Sequence, residues 1–409
     1  MASCRFCRAE LERTFVDLGM SPLCETFLDP RDVNRMEPFY PLHVYVCEQC
    51  LLVQLEEYVS PADIFTDYPY FSSYSDSWLR HASNYVDKIT ERLALDAQSL
   101  VVELGSNDGY LLKHFVAKGI PVLGIEPAQN VAEVATAAGV RTVSKFFGPD
   151  VAKQLRADGE AADLIVGNNV LAQVPDLNGF VAAIRMLLKP AGVVTIEVPH
   201  LLRLVAENQF DTIYHEHFSY FSFLVAERIF AAHGLEVFDV EELASHGGSL
   251  RIYAGHAGSG LHPVAATVAD MRAKERAASV DRLEYYDSFK HQVEATKRKL
   301  LDLLIDVRGQ GKNVVGYGAP GKGNTLLNYC GIRGDFLDFT VDRNPRKQGR
   351  FLPGTHVPIG APNDIDRAKP DFVFILPWNL KDEIMQQLAH VRDWGGKFIV
   401  PIPEARVYD

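Results

Sequence analysis

Four of the six cysteines stand as two knuckles, Cys4-x-x-Cys7 and Cys47-x-x-Cys50, and each places two sulfurs on one tight turn. Four thiolates complete a tetrahedral shell around Zn²⁺ and leave no position for water, so the chemistry they predict is structural. Cys24 and Cys330 read as buried thiols. A second concentration of reactive groups runs from Gln209 to Ser222 and contains Tyr214-His215-Glu216-His217. Two histidines, a glutamate and two phenols from Tyr214 to Tyr220 are costly to bury without partners, which favours an acid–base site. The spacing is not H-E-x-x-H and no third ligand is evident, so catalytic zinc is the poorer reading.

Two glycine turns follow apolar runs. In Val101-Val102-Glu103-Leu104-Gly105-Ser106-Asn107-Asp108-Gly109, a strand enters a turn of small residues that opens a helix, and Gly105 and Gly109 let a ligand approach the backbone. Glu126 ends the next strand, where a carboxylate can accept both ribose hydroxyls of an adenosine-containing cofactor. Asn168 and Asn169 end a further strand at the same carboxyl edge. With Asp108 in the turn and few free amides, the site suits the cationic sulfonium of S-adenosylmethionine better than the pyrophosphate of NAD. The second turn, Val314 to Thr325, carries Gly316, Gly318 and Gly321 as G-x-G-x-x-G, and a helix starting there presents amides to a phosphate or diphosphate. The Walker spacing fails because Gly323 is followed by Asn324. A dinucleotide fits, and so does a nucleotide-linked substrate with Asp342 holding its nucleoside.

Residues 1 to about 60 show aromatic and β-branched runs without helical period, a small β-rich module that would carry the knuckles. A tyrosine-rich stretch, Tyr68 to Tyr74, precedes an amphipathic helix predicted over Asp76 to Leu93. From Ser99, short apolar runs alternate with helix-length segments, the signature of a mostly parallel α/β sheet. Strands are predicted at 100–104, 121–125, 163–167 and 193–198, with an antiparallel edge from 236–240 and 250–254. Long helices are predicted over 264–307, after which strands restart at 313–317, 336–341, 371–376 and 397–401. The division is 1–66 for a zinc-binding module, 67–262 for a cofactor-binding α/β domain, and 263–409 for a helical linker with a second α/β domain.

The chain has 409 residues, enough for two or three cored domains. Lys plus Arg is 41 and Asp plus Glu is 53, giving a net charge of −12 that repels nucleic acid. No window approaches the length of an apolar membrane span, and the start, Met1 to Arg13, is too charged for a signal peptide, so a cytoplasmic protein is expected.

Taken together the motifs resemble those of sugar C-methyltransferases that act on nucleotide-linked 4-keto-deoxysugars in antibiotic-sugar pathways. The resemblance covers nearly the whole chain: the paired knuckles, Glu103–Gly109, Gly124-Ile125-Glu126-Pro127, Tyr214–Ser222, His246-Gly247-Gly248-Ser249-Leu250-Arg251 and Gly316–Thr325. It implies a zinc-binding module, a central class I methyltransferase domain and a C-terminal Rossmann-like domain, in a monomer. It assigns S-adenosylmethionine to Gly105, Asn107, Asp108 and Glu126, beside which Ser106, Asn168 and Asn169 are further cofactor candidates, and the diphosphate to Gly318, Lys322, Asn324 and Thr325. Tyr68, Tyr70, Gln173, His200, His246, Ser249, Arg251 and Asp342 are the further substrate-side residues. Thymidine diphosphate is favoured over guanosine diphosphate by the resemblance alone.

One departure matters: several members carry a histidine where this chain has Gln173, which can orient a ligand but cannot titrate. Acid–base work then falls to Tyr214, Glu216 and His217, with His217 as the base that removes the hydrogen beside the ketone. Two other readings stand beside this one. One is a nicotinamide-dependent oxidoreductase using Gly316–Gly321; the other is a zinc-ribbon interaction protein on an inactive methyltransferase scaffold.

Overall fold

The computed structural model describes residues 2–65, 68 and 71–409. Tyr70 therefore lies outside the described residues. Contacts divide the chain into two compact units whose segments interleave. The first comprises Met1–Glu12, Val46–Leu201 and Glu216–Leu283; the second comprises Arg13–Tyr45, Leu202–His215 and Glu284–Asp409.

The first unit is built on a seven-stranded sheet. Its strands are β1 (Val101–Leu104), β2 (Val122–Ile125), β3 (Thr142–Val143), β4 (Ala162–Asn168), β5 (Leu188–Pro199), β6 (Leu235–Leu243) and β7 (Ser249–His256). They lie in the order β6-β7-β5-β4-β1-β2-β3. The first five run parallel and β7 is antiparallel to both β5 and β6, as the two closely spaced apolar runs predicted. Successive residues of a strand face opposite sides of a sheet. Val101, Val102, Leu164, Ile165, Val193 and Val194 are all buried, so both faces of this sheet are covered.

Helix Asp76–Leu93 has the bounds predicted from its periodicity. Ala82, Tyr85, Val86 and Ile89 form its buried stripe and pack against Val101, Leu164, Val166 and Val193. The Ser75 side chain accepts from the Trp78 amide at its start, and Ala94, at φ 49°, turns the chain out at its end. A short antiparallel pair, Val53–Leu55 with Ser219–Tyr220, completes the first unit's strands among the described residues.

The second unit holds a six-stranded sheet of β8 (Val314–Tyr317), β9 (Thr340–Val341), β10 (Ile359–Gly360), β11 (Phe372–Ile375), β12 (Lys397–Val400) and β13 (Arg406–Tyr408). Its order is β10-β9-β8-β11-β12-β13, parallel except for β13. The strand predicted at 336–341 is confined to its last two residues. Phe336 and Leu337 both donate their amides to the Arg333 carbonyl, so that part of the run is a turn. The hairpin Thr14–Ser21 with Tyr40–Val46, all but its last residue Val46, and the helix Phe289–Gly309 also lie in this unit. No helix among the described residues is long and apolar enough to cross a membrane.

Candidate active site and metal centre

The metal centre is assembled from two turns of the same design. The Arg8 amide closes on the Cys4 carbonyl and the Leu51 amide on the Cys47 carbonyl, with Arg8 at φ 67° and Leu51 at φ 64°. Cys4 Sγ lies 3.5 Å from Cys50 Sγ and Cys7 Sγ 3.4 Å from Cys47 Sγ, and all four sulfurs lie within 4.8 Å of one another. A tetrahedron of Zn–S bonds near 2.3 Å needs sulfurs about 3.8 Å apart. Gln54 Nε2 donates to Cys4 Sγ at 3.1 Å, the kind of outer hydrogen bond a ligating thiolate carries. The donor set and the spacing fit Zn²⁺.

The first glycine turn leaves β1 through Gly105 at φ 65°, Asn107 at φ 49° and Gly109 at φ 76°. Such left-handed positions suit glycine and, next, asparagine. A Cβ on Gly109 would stand 2.9 Å from Val140 Cγ2, so the turn tolerates nothing larger there. Glu126 at the end of β2 fixes the turn: its oxygens accept the amides of Asn107 and Ala128, each at 2.9 Å. Burial raises its pKa while those two amides work the other way. The segment after Tyr68 closes on the same turn. Ser72 donates its amide to Asn107 Oδ1 at 2.8 Å and Ser73 its amide to Asp108 Oδ2 at 3.1 Å. Phe71 packs on Ala128 and Val131.

At this edge Ser106 Oγ, Asp108 Oδ1, Asn168 Oδ1 and Asn169 Oδ1 are buried without a protein partner among the described residues. Burying polar atoms is costly unless something bonds them. This set of acceptors around a glycine turn, with Glu126 beside it, fits the ammonium, sulfonium and ribose hydroxyls of S-adenosylmethionine.

The Tyr-His-Glu-His run divides by role. His215 is turned away: its Nε2 lies 3.2 Å from the Pro41 carbonyl, its ring meets Tyr40 edge-on, and burial lowers its pKa. Tyr214 and His215 close a segment of the second unit, and Glu216 and His217 open a segment of the first. Glu216 is 4% exposed and accepts from the Tyr68 hydroxyl at 2.9 Å, joining residues 148 positions apart. His217 is 8% exposed, with its ring edge-on to Tyr220 at 6.3 Å. Gln173 ends the short helical turn Leu171–Gln173, and the Phe218 amide donates to Ala172 in that turn at 2.7 Å.

Sequence reasoning missed Glu197, His81 and Trp78. Glu197 is fully buried at the end of β5, 2.8 Å from His81 Nε2 and 2.5 Å from Arg251 Nη2, and it accepts from Ser245 Oγ at 2.6 Å. Burial opposes its charge, yet the His81 and Arg251 contacts hold it down at about 2. Arg251 also lies 4.2 Å over the Tyr85 ring. Trp78 stacks on His81 and Tyr110 and meets His246 edge-on. The available signal was one acid in the otherwise uncharged run Val193–Val198, and a histidine, His81, within the amphipathic run Asp76–Leu93. Ser249 Oγ donates to the Ser245 carbonyl, and His200, 1% exposed, bonds Glu275 at 2.7 Å.

Replacing Arg251 with Met should cost about 3–5 kcal/mol, because a buried carboxylate loses its counter-charge. The Glu197 pKa is depressed from 4.5, so its contribution is present above pH 4.5 and is lost as pH falls toward 2; the shift corresponds to roughly 3 kcal/mol. Denaturant melts of wild type and Arg251→Met between pH 7 and pH 3 check both statements, and equal stability at pH 7 would contradict them.

The second glycine turn repeats the device of the first. Asp342, at the end of β9, accepts the amides of Ala319 at 2.7 Å and Asn344 at 2.8 Å, as Glu126 does in the other sheet. Helix Gly321–Cys330 begins beyond it. Asn324 donates to the Cys24 carbonyl and Thr325 to the Ile213 carbonyl, and both are buried. A Cβ on Gly318 would meet Pro377 at 2.6 Å. Lys322 Nζ donates to Asn379 at 2.9 Å and lies 4.7 Å over the Trp378 ring, while Trp378 Nε1 donates to Asp211 at 2.7 Å. Burial lowers the Lys322 pKa against the opposing charge of Asp211, and burial lifts Asp211 to about 6. Cys24 and Cys330 are both buried, as expected of non-ligating thiols.

A sheet in this order, with its glycine turn after the first strand and one antiparallel strand near its edge, defines the first unit as a class I methyltransferase fold. Family profiles agree in three consecutive stretches: "Putative zinc binding domain" over residues 4–65, "Methyltransferase domain" over 78–240 and "C-methyltransferase C-terminal domain" over 244–403. The chain is 38% identical over 404 residues to the C-methyltransferase NovU of Streptomyces niveus, covering 99% of this chain and 96% of that one. It belongs to that C-methyltransferase family. A ubiquinone biosynthesis O-methyltransferase of Bartonella bacilliformis matches at 30% over 97 residues, 24% of this chain and 39% of that one. Among solved structures, an S-adenosylmethionine-dependent methyltransferase from Clostridium acetobutylicum aligns at 13% identity and TM-score 0.36, over 44% of this chain and 92% of that one. The Burkholderia thailandensis 1,6-didemethyltoxoflavin-N1-methyltransferase aligns at 19% and 0.36, over 52% and 98%.

Proposed function

We propose that this methyltransferase alkylates the carbon beside the ketone, C-3, of a nucleotide-linked 4-keto-deoxysugar. The observation that supports it most is the Tyr68–Glu216 bond next to His217 in the unit that carries the glycine turn and Glu126. S-adenosylmethionine, when bound, supplies an electrophilic methyl group. Gly105, Ser106, Asn107, Asp108, Glu126, Asn168 and Asn169 hold and orient it.

The chain's own chemistry is proton removal. The C-4 carbonyl acidifies the hydrogen on C-3, and a neutral imidazole, ordinary pKa near 6.5, is matched to take it at neutral pH. His217 is the base in this reading, Glu216 and Tyr68 orient the reacting groups, and Tyr214 donates to the enolate oxygen that forms at C-4. Lys322 holds the diphosphate, and thymidine is the nucleoside suggested by the family resemblance. Zn²⁺ on the four cysteines is structural. The three-part division at 66 and 262, a monomeric state and a cytoplasmic location belong to the same reading.

The test is isotopic. Incubated in D₂O with a thymidine-diphospho-4-keto-deoxysugar and without methyl donor, the enzyme should wash deuterium into C-3, and adding S-adenosylmethionine should give the C-3 methylated sugar. Absence of both exchange and methylation with thymidine- and guanosine-linked keto sugars would remove the reading.

A further inference from the structure

We propose that Arg5, inside the first cysteine knuckle, is a positioning residue for the His217 loop; the proposal rests on the reading of His217 as the base. Arg5 is tied to the sulfur cluster through Gln54, whose Oε1 accepts the Arg5 amide at 2.9 Å and whose Nε2 donates to Cys4 Sγ at 3.1 Å. The Arg5 guanidinium donates to the Leu55 carbonyl and, at 3.3 Å, to the Pro175 carbonyl, and it lies 5.3 Å from the centre of the Phe218 ring.

Those three contacts surround the backbone that carries the base. Phe218 directly follows His217; its amide donates to Ala172 at 2.7 Å and its carbonyl accepts from Leu55 at 3.0 Å. Gln54 and Val53 then pair with Ser219 and Tyr220. One planar fork therefore grips the strand from the second knuckle, the turn after Gln173 and the ring next to His217. An arginine suits this because its donors are fixed in one plane and its face stacks on an aromatic ring, whereas a lysine offers a single point of charge. The four-cysteine centre thereby fixes where the imidazole stands without touching the reactants.

Arg5→Met keeps much of the apolar stem and removes the fork; Arg5→Lys keeps the charge. In both, metal content should stay at one equivalent per chain, and S-adenosylmethionine affinity and the KM for the sugar should stay within about threefold of wild type. The kcat should fall at least tenfold in Arg5→Met and less in Arg5→Lys, and the acidic limb of the kcat–pH profile should move. A wild-type kcat and profile in Arg5→Met, with His217→Asn inactive, would overturn the proposal. Loss of kcat only together with metal or cofactor binding in both variants would also overturn it, assigning Arg5 to the fold alone. Full activity of His217→Asn would instead remove the reading of the base.

Discussion

Replacing His217 with asparagine should lower methyl transfer by about 10²–10⁴-fold while leaving S-adenosylmethionine affinity unchanged. Asparagine keeps a planar polar group in a position that is 8% exposed, so the cavity it would otherwise leave is small. What it cannot do is take a proton. In the proposed mechanism exchange and methylation share the proton-removal step, so deuterium wash-in at C-3 should fall as well. Isothermal titration with S-adenosylmethionine separates this from a binding defect. Retained exchange in the variant would move the base to the Tyr68–Glu216 pair, and Glu216→Gln would then be the inactive variant.

Removing the metal should have the second large effect, on order in one part of the chain. Metal binding by four thiolates in small zinc modules is worth about 10–16 kcal/mol, most of which is folding energy. Residues 4–11 and 46–55 contain one three-residue strand and two knuckle turns, too little apolar surface to fold unaided. Cys47→Ser, or wild type treated with a chelator, should therefore become sensitive to protease within residues 4–11 and 46–55, while the seven-stranded sheet stays resistant. The Val53–Leu55 strand pairs with Ser219–Tyr220, so loss of order there should also lower kcat. Metal analysis giving no equivalent of zinc in a protease-resistant wild type would contradict this.

Much of the site was legible in local sequence. The knuckles, the turn at Gly105–Gly109 and the acid closing the following strand are each set by backbone geometry over a few residues, and a pattern of residue types records such geometry directly. The helix at Asp76–Leu93 was legible for the same reason: its buried stripe repeats at the helical period. The run Phe336–Val341 was misread because an apolar run looks alike whether it pairs as a strand or folds into a turn, and here the Arg333 carbonyl takes two of its amides.

Sequence alone thus determined which residues are chemically capable: four sulfurs for a metal, a turn and an acid for a nucleoside cofactor, and an imidazole among carboxylate and phenol. Only the tertiary structure decided which of them meet. It turned His215 toward Pro41, gave Glu216 the Tyr68 hydroxyl, brought His81 to Glu197 across 116 positions, and set Arg5 beside Phe218. These are pairings between distant segments, fixed by how sheet and helices bury their apolar faces, and no spacing along the chain encodes them.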